Sequence, residues 1–458
     1  MRPPIHRAVP VRTRATLLAS AASALLLVQI LPGAARAEDA APSEAAPLAF
    51  GLHVQFTSVT QYHPSFRASV TGPNSLNNGN RGDTTNDATL FAGVGLWPGL
   101  ELWANPEIDQ GFGLSGTLGA AGFPSGEAYK VGENNPYVRM QRLFLRQTVN
   151  LGGARETVEA DQNVLGGIQT ANRLVFTVGK FSVVDIFDNN HYAHDTKNDF
   201  LNWSLIDTGS YDYAADAWGY SYGAAVEWYQ GDWTARFGVF DLSNVPNSKN
   251  LDADFGQVEY TAELERRYAV FGQPGTVRIT GFLNRGRMAS LAEAVRVAQA
   301  TGQPAAVVPL RRYASRGGVS LNAEQQVLDG LGVFLRAGWS EGDKETYEFT
   351  DIDHTVAAGV SVSGARWGRP DDVFALAGVA NTPSAQRKAF LAAGGLGILI
   401  GDGRLINSGP EEILETYYSV GVIKGAHVSF DYQYIANPGY DRDRGPVSVF
   451  GVRVHGQY

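Results

Sequence analysis

The chain ends in Pro446-Val-Ser-Val-Phe-Gly-Val-Arg-Val-His-Gly-Gln-Tyr458, where apolar and polar side chains alternate. Successive side chains of a β-strand point to opposite faces, so Val452 and Val454 share a face with Tyr458, opposite Arg453. A tilted strand that crosses a bilayer needs about 9–11 residues, which this segment supplies. The pattern therefore predicts a membrane-spanning strand, while half-buried strands of soluble sheets remain the alternative.

The other end of the chain reads as a cleaved signal peptide, residues 1–37. Basic residues without acids come first, an apolar run over 17–31 follows, and Ala35-Arg36-Ala37 then offers a cleavage site before Glu38. The alternative, a retained helical anchor, would need a longer apolar run. The predicted organisation is a signal peptide over 1–37, a short segment over 38–47 and a barrel domain over 48–458.

The composition excludes several classes of function. The chain has no cysteine, which excludes disulfides and thiolate chemistry. The signal peptide carries five arginines and no acid, so its removal changes the formal charge from −9 to −14. An acidic surface argues against a nucleic-acid partner. The 53 glycines and 19 tyrosines favour short strands, tight turns and interfacial aromatic rings.

Sixteen segments alternate in the way that strands do, and the first, Leu48–Ser58, is among the clearest. The same alternation predicts Val428, Phe430 and Tyr432 on the lipid side and Ser429, Asp431 and Gln433 in the lumen. The other fifteen segments are 88–97, 100–109, 138–149, 173–181, 217–229, 233–241, 255–267, 276–285, 313–323, 331–340, 350–362, 373–380, 415–423, 426–435 and 446–458.

The connections sort by length. Tight joins such as Pro98-Gly99 and Lys424-Gly425 interleave with long ones such as 182–216 and 381–414, which would all lie on one side. The join 150–172 breaks this rule, because it is long yet falls on the short-turn side. Outer-membrane barrels have short periplasmic turns and long external loops. The predicted fold is therefore all-β, a transmembrane antiparallel β-barrel of sixteen strands.

A soluble β-sandwich is the alternative fold, but it has no reason to sort its loops by side. Nor would it place aromatic residues at strand ends, as Trp218, Tyr220 and Tyr222 lie at one end of a segment and Trp228 at the other. In hydrocarbon an unpaired strand edge cannot be hydrated, so the sheet must close. Helical patterns in loops 286–312 and 381–414 are predicted to cap or narrow the mouth.

Parity assigns the side chains that line the lumen. Charged residues flanked by lipid-facing apolar neighbours are expected to face inward, because an arginine in mid-membrane costs about 2–4 kcal/mol. Interleaved aromatic rings, arginines and carboxylates suit a sugar, whose C–H face stacks on rings and whose hydroxyls bond to charged groups. Alternatively, the charged residues lie in the polar rim and the aromatic rings fill gaps in the wall. The candidates are Arg142, Arg146, Glu227, Arg236, Glu259, Glu263, Arg278, Arg336, Phe91, Trp103, Phe282 and Phe334.

Loop 182–216 is too apolar to stay in water, which predicts that it folds into the channel and constricts it. Its acids would then lie opposite Arg142, Arg146 and Arg236. Aspartate and histidine side chains in the loop offer oxygen and imidazole ligands that suit manganese, although hydrogen bonding within the loop is the favoured explanation. The candidate constriction residues are Asp185, Asp188, His191, His194, Asp195 and Asp199.

Across nearly all of the mature chain the sequence resembles the carbohydrate-selective porin (OprB-like) family of Gram-negative outer membranes. The resemblance is carried by Leu100–Ser115, Arg142-Leu-Phe-Leu-Arg146, Val178–Asp188 and Asp216-Ala-Trp-Gly-Tyr220, with Gly281–Gly286 and Asp441–Val449 in addition. It implies a sixteen-stranded barrel that passes monosaccharides by facilitated diffusion without an energy source. Some members of the family look like manganese-permeable porins.

Two channel functions and two other classes of function follow as hypotheses. A sugar porin is the leading hypothesis, and a porin for a divalent cation such as manganese is the runner-up. An outer-membrane enzyme would need a nucleophile and base in a recognisable motif, which the sequence lacks, and pure adhesion would give no conductance. We expect no cofactor, and outer-membrane lipid, small permeants and the barrel-assembly machinery as partners. The oligomeric state, monomer or trimer, stays open.

Overall fold

In the computed structural model, residues 49–128, 132–348 and 351–458 are described. They belong to one compact unit, Leu48–Tyr458. The predicted signal peptide with its cleavage site between Ala37 and Glu38, and the segment 38–47, lie outside the described residues. Among the described residues, no helix is both long and apolar enough to cross a lipid bilayer.

Sixteen antiparallel strands close into a barrel in which each strand pairs with its neighbours in sequence and β1 pairs with β16. The predicted fold class and strand number are confirmed. The strands are β1 Phe50–His63, β2 Arg81–Trp97, β3 Leu100–Gly111, β4 Glu133–Val158, β5 Gly167–Phe181, β6 Ser221–Gln230, β7 Trp233–Asp241, β8 Val258–Val270, β9 Gln273–Met288, β10 Arg312–Leu328, β11 Leu331–Ser340, β12 His354–Ser363, β13 Val373–Thr382, β14 Glu411–Ile423, β15 Ala426–Ala436 and β16 Val447–Gln457.

The outer face of the barrel is apolar and the inner face is polar. On β15, Phe430 is 57% exposed whereas Asp431 and Gln433 are buried, which is the parity expected from the sequence. The exposed side chains on the outer face lie against lipid in a barrel of this class. A one-residue slip in the pairing of β15 would turn Asp431 into hydrocarbon, so the register is strongly specified.

Two expectations about the connections were wrong. The join 150–172 is mostly strand, because β4 and β5 continue pairing to Val158 and Gly167 through two register shifts, and the link between them is only 159–166. The segment 217–229 does not begin a strand at Ala217, since β6 starts at Ser221. Trp218 and Tyr220 therefore lie inside the barrel mouth, while Tyr222 and Trp228 are exposed on the outer face.

Within the described parts of the long loops there are three α-helices: α1 Trp203–Ile206, α2 Leu291–Thr301 and α3 Ala385–Ala392. The last two occupy the segments whose helical pattern the sequence showed. Ser290 and Ser384 cap their N-termini by accepting backbone N–H groups of the first turn. Their apolar faces join the buried core on the external side through Leu291, Ala294, Phe390 and Leu391.

Candidate functional site

The connection between β5 and β6, residues 182–220, is named here the inner loop. It crosses the interior of the barrel and is held there by side chains of the wall. The backbone N–H of Asp188 donates to Glu263 on β8 at 2.8 Å, and Asn322 on β10 donates to the Asp188 carboxylate at 2.8 Å. Arg336 on β11 donates to the carbonyl oxygens of Leu205 at 2.5 Å and Asp188 at 3.1 Å. These contacts fix the first half of the loop against one side of the wall.

Strands β14 and β16 hold the middle of the inner loop. Glu415 on β14 accepts the backbone N–H groups of Leu201 and Asn202 at 2.5 and 2.9 Å. The guanidinium of Arg453 on β16 donates to the carbonyl oxygens of Thr196, Asn198 and Asp199. Backbone N–H and C=O groups of a buried loop need hydrogen-bond partners, and these wall residues provide them.

Aromatic residues fill the space between the inner loop and the wall. Phe282 packs on Tyr211 with ring centroids 5.1 Å apart, and Phe334 packs on Phe200 at 5.8 Å. Trp103 is fully buried and lies where a Cβ on Gly93 would meet its ring at 2.6 Å. The expectation that Trp103, Phe282 and Phe334 line the open channel is therefore wrong, because each is covered by neighbouring residues.

A cavity of about 380 Å³ remains between the inner loop and the wall formed by β1 to β4, and we name it the main cavity. Four strand residues line it from the wall, one from each strand. The inner loop lines the other side with apolar and charged residues. The wall residues are Gln55, Phe91, Glu107 and Arg142, and the inner-loop residues are Ser182, Val184, Asp185, His194, Asp195, Thr196, Lys197, Trp203, Ile206, Asp207, Tyr213, Ala217, Trp218, Gly219 and Tyr220.

Three ion pairs, made by two basic residues, link the inner loop to strands of the wall and to the loop after β3. Arg142 on β4 donates to the Asp185 carboxylate through Nε at 2.8 Å and Nη2 at 2.6 Å. Lys197 lies 2.8 Å from Asp87 on β2 and 2.6 Å from Glu127 in the loop after β3. The Arg142 guanidinium also lies over the ring of Tyr220, 4.9 Å from its centroid. Opposed charges and an aromatic face thus lie side by side in the lining of the main cavity.

Burial changes the protonation of loop acids beside the cavity. Burial raises the pKa of Asp207 to about 7, and the nearby charge of Asp188 adds to the effect. The Tyr213 hydroxyl donates to Asp207 at 3.1 Å, while His194 Nδ1 lies 3.7 Å from its other oxygen. Burial lowers the pKa of His194, and the charge of Arg336 acts in the same direction. His194 is therefore neutral at pH 7, while Asp207 is about half ionised there.

The remaining charged wall residues pair mainly with each other. Arg236 contacts Glu227, Glu263 and Glu265 at 2.6–2.9 Å, and Arg278 contacts Glu265 at 3.0 Å. This ladder runs along the inner face of β6 to β9. The sequence had led us to expect Arg236 opposite the acids of the inner loop, but its carboxylate partners lie on the wall instead.

Two further residues that were predicted to line the lumen, Arg146 and Glu259, instead bond to other groups of the protein. Arg146 lies 3.7 Å from Glu101 and donates to the carbonyl oxygen of Asn163 at 2.8 Å, so it too does not face an acid of the inner loop. Glu259 is buried under the loop, where it accepts the hydroxyl of Tyr211 at 3.0 Å.

The acids and histidines of the inner loop do not converge on one point. Asp188 accepts the backbone N–H of Thr208 at 2.6 Å, and Asp199 accepts those of His194 and Asp195 at 3.0 Å. The backbone of His191 donates to Glu324 at 2.6 Å. Within the described residues, no group of three or more metal-binding side chains is placed to hold an ion. Hydrogen bonds within the loop and to the wall occupy the carboxylates of Asp188 and Asp199.

Sequence reasoning missed several residues of the main cavity. Trp218 and Tyr220 were assigned to a strand end, although Arg139 stacks on the Trp218 ring at 3.4 Å inside the mouth. Lys197 and Glu107 were not singled out. Lys197 could have been found from the sequence, because it is a lone lysine within an acidic loop that was expected to be buried. A buried cation requires acidic partners.

A closed barrel of sixteen strands with an apolar outer face and a cavity beside an inward loop defines an outer-membrane porin. The model of the carbohydrate-selective porin, OprB family, matches residues 73–458, and the chain belongs to this family. It is a protein of the Gram-negative outer membrane, and its class comprises channels.

Solved structures agree in fold. The high-pH structure of Pseudomonas putida OprB is similar with a TM-score of 0.66 and 16% identity, covering 90% of this chain and 94% of that one. The outer-membrane channel DcaP of Acinetobacter baumannii is similar with a TM-score of 0.50 and 11% identity, covering 91% and 99%. No curated protein matches the chain in sequence.

Proposed function

We propose that this porin lets monosaccharides and similar small neutral solutes diffuse passively through the main cavity. The observation that carries the proposal is the composition of that cavity, in which aromatic faces lie beside paired opposite charges. A volume of about 380 Å³ falls in the range of roughly 300–1,000 Å³ common for small-molecule sites. The inner loop acts as the constriction that excludes larger solutes.

The lining suits the two kinds of surface on a pyranose. Phe91, Trp218 and Tyr220 offer ring faces for its C–H groups. The pairs Arg142–Asp185 and Lys197–Glu127 offer donors and acceptors for its hydroxyls. Because the charges within these two pairs compensate each other, the pairs present little net field to a neutral solute. Exchange of hydrogen bonds with such pairs allows entry without tight binding.

A cation-selective porin is the second candidate. Among the charged residues that line the main cavity, carboxylates outnumber cations, which favours positively charged permeants. A permeating ion needs only a favourable field and not a complete set of ligands. The carboxylates are Glu107, Glu127, Asp185, Asp195 and Asp207, and the cations are Arg142 and Lys197.

Flux measurements in proteoliposomes separate the two candidates. The purified barrel should admit glucose faster than a disaccharide in a swelling assay, and manganese entry should not exceed that of calcium. Tyr220→Ala should weaken the preference among sugars, whereas Tyr222→Ala, on the outer face two residues away, should not. Manganese uptake without sugar flux would replace the sugar proposal by the cation candidate. Equal flux of all small solutes would contradict both.

A further inference from the structure

The β4–β5 hairpin extends beyond the strands on either side of it. Pairing of β4 with β3 ends at Gln147 opposite Leu100, and pairing of β5 with β6 ends at Arg173 opposite Tyr229. Past these points β4 and β5 pair only with each other, out to Val158 opposite Gly167. The hairpin therefore projects from the short-turn end of the barrel, which is the periplasmic end in this class.

A glycine pair bends the projecting hairpin. Gly152 and Gly153 have φ values of +108° and +92°, which side chains with a Cβ rarely adopt. The register shifts here, between Gly152 and Arg155, and a shift of this kind bends the longer strand. The bend brings residues 159–166, named here the exit tip, back to the barrel.

The exit tip is seated on inward-facing residues of four strands. Arg146 on β4 donates to the carbonyl oxygen of Asn163 at 2.8 Å, and Glu101 on β3 accepts the backbone N–H of Leu165 at 3.3 Å. The Leu165 side chain lies over Gly51 on β1 and Gly95 on β2, where an added Cβ would meet it at 3.0 and 3.3 Å. These contacts hold the tip beneath the wall formed by β1 to β4.

Residues of the exit tip line the same main cavity as the inner loop. Gln162 and Asn163 face it from the periplasmic end, and Trp218 and Tyr220 face it from the external end. The amide of Gln162 also donates to the side-chain oxygen of Gln457 on β16 at 3.3 Å, so the tip reaches the strand next to β1. The exit tip and the inner loop therefore border one and the same cavity.

We infer that the exit tip is a second specificity-determining element of the channel, separate from the inner loop. Gln162 and Asn163 exchange hydrogen bonds with the hydroxyls of the permeating sugar, because amides are both donors and acceptors. Arg146 and Glu101 are positioning residues that act through the backbone of the tip. The claim that the ligand is a sugar rests on the function proposed above. The claim that the exit tip lies on the conduction path does not depend on that function.

The natural absence of cysteine permits a direct test with single-cysteine variants in planar bilayers. Modification of Gln162→Cys with a bulky methanethiosulfonate reagent should remove most of the single-channel conductance in potassium chloride. Ile168→Cys is the matched control, since Ile168 lies on the same hairpin and is 65% exposed, and its modification should leave the current unchanged. Complete labelling of Gln162→Cys, verified by mass, without a fall in conductance would overturn the inference.

Sugar flux tests the ligand separately from the path. Gln162→Trp should slow a disaccharide more than a monosaccharide in liposome swelling, and Gln162→Ala should reduce the difference between them. If labelling of Gln162→Cys blocks the current but the unsubstituted protein passes no sugar, the sugar proposal fails. The exit tip would then remain as a gate for ions. Unchanged sugar ratios in both variants would show that the tip does not contact the solute.

Discussion

Arg142 of the barrel wall and Asp185 of the inner loop form a two-point ion pair, with nitrogen–oxygen distances of 2.8 and 2.6 Å. The same carboxylate accepts the backbone N–H of Ser182 at 2.9 Å, so its position is set by the first turn of the loop. Burial acts to raise the pKa of Asp185, but the charge and hydrogen bonds of Arg142, together with the hydrogen bond from Ser182, hold the pKa below its usual value. The pair therefore stays charged throughout the neutral and mildly acidic range.

Asp185→Asn should make the channel more permeable to anions, because it leaves the guanidinium of Arg142 without its counter-charge beside the main cavity. The reversal potential in a potassium chloride gradient measures this shift. Glu293→Gln is a matched control, since Glu293 pairs with Arg312 in an external loop and does not line the main cavity. An unchanged reversal potential in Asp185→Asn would place the ion path elsewhere.

Deletion of residues 188–199 should raise single-channel conductance and flatten discrimination among sugars. Arg336 and Arg453 would lose their loop partners, but both would then face a water-filled lumen and be hydrated, so the barrel should stay assembled. Heat-modifiable migration in gels checks assembly, and bilayer recordings check conductance. Normal conductance in an assembled deletion variant would show that the loop does not restrict flow.

Cation preference should rise as pH increases from 6 to 8. Burial raises the pKa of Asp207 to about 7, so this carboxyl is protonated below that pH and adds a negative charge to the cavity above it. Burial lowers the pKa of the neighbouring His194, so this imidazole does not titrate upward into the same range. Asp207→Asn should remove the pH dependence of the reversal potential, and a variant that retains it would assign the titration to another group.

Phe430→Arg should impair assembly, because it places a guanidinium on the lipid face at a cost of about 2–4 kcal/mol near mid-membrane. Phe430→Leu keeps the face apolar and should assemble normally. The yield of heat-modifiable protein in the outer-membrane fraction compares the two. Gln433→Arg, on the lumen side, is not a suitable control, since Gln433 contacts Pro124 and Asn202 at 2.7 and 3.1 Å.

Deletion of Tyr458 should leave the chain in the periplasm. Tyr458 is exposed on the lipid side and exchanges two backbone hydrogen bonds of 2.9 Å with Val54, so it closes the seam between the two ends of the sheet. We expect its ring to serve as the terminal recognition signal for assembly. Tyr458→Phe keeps the aromatic ring and should be inserted normally, whereas insertion of the deletion variant would argue against this role.

Strand number and closure could be predicted from the sequence because both rest on local rules. Alternation has a period of two in every strand, and tight turns such as Pro98-Gly99 fix where strands reverse. The inward course of the inner loop follows from its apolar residues, Phe187 and Phe200 among them, which are fully buried in the structure. Apolar side chains gain stability from burial whatever they pack against, so their burial can be predicted without knowing the partner residues.

The details of the site could not be predicted in this way, because parity tells which face a residue occupies and not what covers it. Phe282 and Phe91 have the same parity, yet Tyr211 covers Phe282 while Phe91 lines the cavity. The extension of β4 to Val158 was hidden by the glycines and register shifts of the bulged region, which break the alternation. These features depend on contacts between distant segments.

The guanidinium of Arg453, on the last strand, donates to three carbonyl oxygens of the inner loop. The loop leaves the ribosome long before Arg453 does, so its main chain lacks these partners until the final strand is laid in place. Full seating of the constriction is then coupled to completion of the barrel. Other strands hold the loop before this point, and Arg453 links the last step of its seating to closure of the wall.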